Sequence, residues 1–218
     1  MSGDGGPGGI AALTCMAVSP FETNCYVVTC ADGAACVIDP GGDAEGIAAQ
    51  LAAQGGTLAW ILCTHGHIDH VEAAGDLRAA CGGRIALHRA DLPLWRNLGA
   101  QARMFGLPEP PPLPEPDLVL DGDGELPLGG GSIGVLHVPG HSPGSVAYVF
   151  PGARIAFNGD TVFAMGVGRT DLWGGDTDAL RHALIAKIFT LGDDVVLHSG
   201  HGPPVTVAEA RPNLAWLG

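Results

Sequence analysis

Lysine is almost missing from this chain: Lys187 is the only one, and ten basic residues face 23 acidic ones for a formal charge of −13. A phosphate backbone needs a basic surface, which this composition cannot supply, so a nucleic-acid partner is excluded. Aromatic residues make up 6% of the sequence. The core must therefore be built from Ala, Val, Ile and Leu. No apolar run approaches the ~20 residues that span a bilayer, and the stretch 1–9 lacks the basic start and apolar segment of a signal peptide. A cytoplasmic protein without membrane contact is expected, as a monomer or homodimer. The six cysteines, at 15, 25, 30, 36, 63 and 81, include no CxxC pair. They read as reduced, buried small hydrophobes, with a Cys30–Cys36 disulfide across the turn at Ala31-Asp32-Gly33 as the lesser alternative.

Glycine and proline are plentiful, at 35 and 17. With 218 residues the chain can bury one sizeable core. A flexible tail over 1–10 and a single domain over 11–218 are expected. Strands are read at 11–18, 24–29, 34–38, 58–63, 84–88, 118–120, 132–138, 145–150, 154–158 and 195–198. Asp43 reads as the N-cap of a helix to Gln54, with Ile47 and Leu51 on its buried face. Further helices are read at 70–80, 91–98 and 177–191, and the capping-box pair Thr206 and Glu209 opens a terminal one. The segment 107–117 holds six prolines in eleven residues and reads as a surface loop crossing near the site. Alternating strands and helices in both halves suggest two sheets covered outside by helices.

The densest chemistry lies in Thr64-His65-Gly66-His67-Ile68-Asp69-His70, directly after the strand 58–63. His65 and His67 fall on one side of a still-extended segment, and Asp69 and His70 arrive as the backbone turns into a helix. Loop histidines are common singly. Three within six residues beside an Asp point to a metal, and neutral nitrogen with anionic oxygen suits Zn, Fe or Mn better than Mg or Ca.

Three later turns share one design, an apolar strand followed by Gly and a ligand-type residue: Gly140-His141, Gly159-Asp160 and Gly200-His201. Ligands at strand ends are where α/β sheets place their sites. His88 and His137 on strands, His182 on a helix, and His198 read as structural or surface residues.

The order His65-x-His67-x-Asp69-His70, His141, Asp160, His201 resembles the metallo-β-lactamase superfamily. Asp39-Pro40-Gly41-Gly42, Pro139-Gly140-His141-Ser142-Pro143-Gly144-Ser145, Gly159-Asp160-Thr161-Val162-Phe163 and Gly168-Arg169-Thr170-Asp171-Leu172 are similar to its glyoxalase II-like (hydroxyacylglutathione hydrolase-like) branch, particularly the short bacterial type. The resemblance implies a four-layer αβ/βα sandwich. It also implies two divalent metal ions, Zn first with Fe or Mn as alternatives: His65, His67 and His141 on one, Asp69, His70 and His201 on the other, Asp160 bridging. Glu72 stands where the branch usually has glycine, and a structural role at the helix start is expected for it.

Such a pair of metals would turn water into hydroxide at neutral pH, with Asp69 as orienting catalytic residue, to cleave a small-molecule thioester such as S-lactoylglutathione. Family enzymes hold glutathione with a Lys and a Tyr shortly after the bridging Asp; Arg169 and Asp171 occupy the corresponding positions. Arg169 either pairs with a substrate carboxylate or forms a salt bridge to Asp171 or Asp176. The competing readings are a mononuclear-iron persulfide dioxygenase and a metal-binding module without catalysis.

Overall fold

A computed structural model describes residues 9–217. Two six-stranded sheets face each other. The first has β1 (Ile10–Val18), β2 (Thr23–Cys30), β3 (Ala34–Ile38), β4 (Thr57–Leu62), β5 (Arg84–His88) and β6 (Leu118–Leu120), side by side in chain order. The second runs β14 (Val205–Thr206), β13 (Val196–Ser199), β10 (Ile155–Gly159), β9 (Val146–Phe150), β8 (Gly131–His137), β7 (Gly124–Leu128). Helices α1 (Ala44–Ala53), α2 (Ile68–Val71), α3 (Ala74–Cys81), α4 (Leu92–Trp95) and α5 (Leu98–Phe105) accompany the first sheet, and α6 (Thr177–Ala186) and α7 (Val207–Ala210) the second. A small hairpin, β11 (Val162–Phe163) with β12 (Gly166–Val167), stands apart. This is the four-layer αβ/βα sandwich.

Side-chain alternation builds the layers. Along β2, Cys25 and Val27 turn to the helices, while Tyr26, Val28 and Cys30 turn inward against Tyr148 and Phe157 of the opposite sheet. In β4 both Leu58 and Trp60 are even-numbered yet face opposite sides, because Ala59 is an extra residue in the pairing with β3. Burying each such aliphatic side chain contributes about 1.5–3 kcal/mol. All six cysteines are free thiols, four of them buried, so Cys30 and Cys36 serve as core hydrophobes.

The structure departs from the sequence reading in instructive places. The helix expected at 70–80 is two, because Ala73 N donates to Pro40 O (2.9 Å) and leaves the helical ladder between α2 and α3. Strand β7 carries Pro127, tolerable because β7 is an edge strand. The helix expected to Leu191 loses α geometry at Lys187 (φ −127°). Strand β1 begins at Ile10, within the stretch expected as tail; residues 1–8 lie outside the described residues. The proline-rich segment has no regular structure and lies on the helical layer, where Trp95 Nε1 donates to Pro114 O and Leu107 and Leu113 join the outer core.

At one rim the sheets are sewn together by hydrogen bonds. Asn24 N donates to Gly200 O, Tyr26 OH to Ser199 O (2.6 Å), Val146 N to Thr64 O (2.8 Å) and Tyr148 OH to Cys63 O (3.0 Å). Four of the strand ends meet there: β4, β8, β10 and β13 each run out into a residue of ligand type.

Candidate metal centre

The turn after β4 delivers His65, His67, Asp69 and His70; the turn after β8 delivers His141; β10 and β13 lead into Asp160 and His201. All seven converge. The donor atoms of His65, His67 and His141 lie within 4.8 Å of one another, as do those of Asp69, His70 and His201, and of His65, His70 and Asp160. Asp160 connects the groups: Oδ1 is 3.5 Å from His70 Nε2, and Oδ2 is 3.6 Å from both His141 Nε2 and His201 Nε2.

Outer hydrogen bonds aim the imidazoles. Thr64 Oγ1 donates to Asp39 Oδ2 (2.7 Å) and so accepts from His65 Nδ1 (3.0 Å). His70 Nδ1 donates to the same Asp39 oxygen (3.0 Å), and His141 Nδ1 to Arg169 O (2.8 Å). With Nδ1 so occupied, each of these rings turns its Nε2 to the centre. His67 Nδ1 faces His141 Nε2 at 3.0 Å.

The charges fit a cation. His65 is 1% exposed; burial, then its neighbours His70 and His67, hold its pKa well below the ordinary value, and burial and His141 lower that of His67 to about 3. Both rings are neutral donors at physiological pH. Burial opposes charge on His70, yet Asp69, Asp160 and Asp39 overcome it and raise its pKa well above the ordinary value. Burial likewise works against ionised Asp160, but His70, His141 and His201 bring its pKa to about 2. Asp69 is held below the usual carboxylate range against its burial by His70, His201 and the Thr23 hydroxyl, which donates at 2.9 Å.

Within this cluster His65 Nε2, His70 Nε2 and Asp160 Oδ1 are buried without a hydrogen-bond partner. Each such atom costs about 1–3 kcal/mol if left so. A divalent cation is the partner that would satisfy a set of neutral nitrogens around anionic oxygens, and the residues fit one. Glycine clears the space: a Cβ on Gly200 would overlap the Asp160 carboxylate and His70 ring, and one on Gly41 the Asp69 carbonyl.

Several supporting residues have no motif to announce them. Asp91, read as a helix cap, is fully buried and accepts from Gly66 N (2.8 Å), Ser142 Oγ (2.7 Å) and Gly144 N (2.6 Å), tying the His67 turn to the His141 turn. Burial pushes its carboxyl pKa up. Gln101, on the unforeseen α5, accepts from Ile68 N and donates to Gly66 O. Asp39 lay within a quoted motif but without an assigned role. Arg169 contributes its carbonyl to His141 while its guanidinium grips Asp171 at 2.6 and 2.8 Å, the salt-bridge alternative. Of the histidines read as structural or surface, His88 is structural, 5% exposed and stacked 4.0 Å from His137. His198 packs on Phe157 and Tyr26, away from the donors.

The family model described as the metallo-β-lactamase superfamily matches residues 18–201. A relative named hydroxyacylglutathione hydrolase GloC, from Haemophilus influenzae, is 36% identical over 202 residues, 92% of this chain and 95% of its own length. Among solved structures, the B3 metallo-β-lactamase BLEG-1 superposes with TM-score 0.88 at 33% identity, covering 94% of this chain and 99% of that one. TTHA1623, crystallised in a di-iron-bound form, superposes with TM-score 0.82 at 36% identity, covering 92% and 98%. Donor set, layer order and these likenesses agree, and the chain belongs to the metallo-β-lactamase superfamily.

Proposed function

We propose that this metallo-hydrolase is a glyoxalase II-like thioesterase working with two divalent ions, zinc first and iron or manganese as alternatives. The observation that carries the reading is the reach of the Asp160 carboxylate to His70, His141 and His201 at once. In this assignment His65, His67 and His141 hold one ion, Asp69, His70 and His201 the other, and Asp160 both. The glyoxalase II name of a relative aligned over nearly its whole length supports the choice of thioesters. The hydrolase unit is assigned to residues 11–218. The four buried free thiols suit the reducing conditions of the cytoplasm.

Bound divalent ions would supply hydroxide at neutral pH by lowering the pKa of a coordinated water to about 7. The protein's own groups do the rest. Asp69 stays anionic, and Thr23 fixes one of its oxygens, so the carboxylate is positioned to accept a hydrogen bond from the nucleophile and aim it at the carbonyl carbon. His201, a third exposed at its side chain, stands at the open side next to Asp69, where the oxyanion develops. A thiol has a pKa of about 8.5 and departs as thiolate without a strong general acid.

The test is steady-state hydrolysis of S-lactoylglutathione by protein reconstituted separately with Zn, Fe and Mn, with Asp69→Asn beside it. Cleavage that Asp69→Asn abolishes is expected. A fully loaded protein inert toward thioesters and esters alike would sink the reading.

A further inference from the structure

Every basic side chain of this protein is engaged before a substrate arrives. Eight of the ten are ion-paired to a carboxylate. The other two are Arg84, which lies over the Trp60 ring, and Arg181, which donates to Leu217 O. Arg169 is the cation whose backbone touches a donor histidine, and both of its ends are taken, the carbonyl by His141 and the guanidinium by the two oxygens of Asp171. Beyond whatever ions the donors hold, a ligand carrying carboxylates would find no uncommitted Lys or Arg side chain to pair with.

Aromatic side chains stand beside the donors. The Trp173 ring centroid is 6.3 Å from that of His67, and Trp173 is 38% exposed. The Phe163 ring stands 6.4 Å from His201 at the other triad. Two residues on, at the tip of the β11–β12 hairpin, Met165 is 85% exposed. Phe21 and Phe105 meet edge-on at 5.3 Å. Phe21 precedes by two residues the Thr23 that donates to Asp69, and Phe105 lies one helical turn beyond the Gln101 that holds Gly66. Aromatic rings left partly or wholly exposed beside polar groups are the composition of a surface that takes an apolar ligand.

We infer that the site selects thioesters whose acyl and thiol arms are uncharged and apolar, and that it disfavours glutathione conjugates, with Trp173, Phe163 and the Phe21–Phe105 pair as the specificity-determining residues. The inference rests on the thioesterase reading and narrows its substrate. The two carboxylates of glutathione would find the Arg169 guanidinium already taken by Asp171. An aromatic acyl group instead finds an aromatic ring beside each triad, Trp173 at one and Phe163 at the other.

The experiment compares kcat/KM of the zinc-loaded protein for one acyl group, phenylacetyl, carried on glutathione and on uncharged N-acetylcysteamine, each normalised to its alkaline hydrolysis. The uncharged thioester is expected to be preferred by about tenfold or more. Trp173→Ala, a change at an exposed residue, should lower its kcat/KM about three- to tenfold. Asp171→Asn, which releases the Arg169 guanidinium, should raise the glutathione thioester alone. A glutathione thioester cleaved equally well or better, indifferent to both substitutions, overturns the inference and leaves the thioesterase reading standing. Cleavage of neither compound at full metal loading overturns both.

Discussion

Asp39 Oδ2 accepts from both His70 Nδ1 (3.0 Å) and the Thr64 hydroxyl (2.7 Å), and that hydroxyl accepts from His65, so one buried carboxylate sets the tautomers of two donors in different triads. Asp39→Asn keeps the volume and removes the charge. Partners of this kind are worth about 10- to 100-fold in metal affinity. A chelator-competition titration should show a loss of that size; unchanged affinity would remove Asp39 from the account.

Asp91 joins the two turns that carry His67 and His141, although it faces no donor itself. Asp91→Ala strands the amides of Gly66 and Gly144, at about 1–3 kcal/mol for each buried donor. Urea unfolding should report a loss of about 3 kcal/mol, with a lower kcat from misaligned turns. A substitution silent in both measurements contradicts the clamp.

Acid should act through His88. Both of its ring nitrogens face backbone N–H groups, Ala90 N at 3.3 Å and Gly122 N at 3.1 Å, so an added proton meets a donor. Burial first, then the stacked His137, pushes its pKa down to about 4. The unfolded chain therefore takes up a proton that the folded one refuses between about pH 6.5 and pH 4. Its contribution to stability is complete above that window and is lost as pH falls through it. Wild type should lose about 1–2 kcal/mol more than His88→Gln between pH 7 and pH 4, after allowance for screening. Parallel pH profiles would refute the assignment.

Gly200 leaves no room for a side chain beside Asp160 and His70. Because it lies in a turn at the rim, Gly200→Ala should displace the shared carboxylate while the circular dichroism spectrum stays native. Metal retained after dialysis should fall. Full retention would show that the carboxylate can move without consequence.

The seven residues that converge at the rim were legible in the sequence, because each sits within a turn whose local pattern can be read in a few residues. Strands β3, β5 and β6 were legible to the residue for the same reason. The supports were not. Gln101 lies in α5, whose buried face includes a polar side chain and whose second residue is Gly99, which blurs the helical period. Asp91 and the His67 turn are about 25 residues apart, and a side chain that accepts from a remote backbone amide has no sequence period to betray it. Asp171 was read as one of two alternatives because the choice between a substrate and a neighbouring carboxylate depends on loop geometry alone.

The central claim is that two ions share Asp160, and the most direct test is activity against S-phenylacetyl-N-acetylcysteamine as metal is added back to chelated protein, with bound metal determined on each sample. Thioester hydrolysis should rise to a plateau at two equivalents per chain, and His67→Ala and His201→Ala should each shift the bound stoichiometry down by about one. A plateau at a single equivalent, or one iron with no hydrolysis and rapid oxygen consumption in the presence of a persulfide, would contradict the claim.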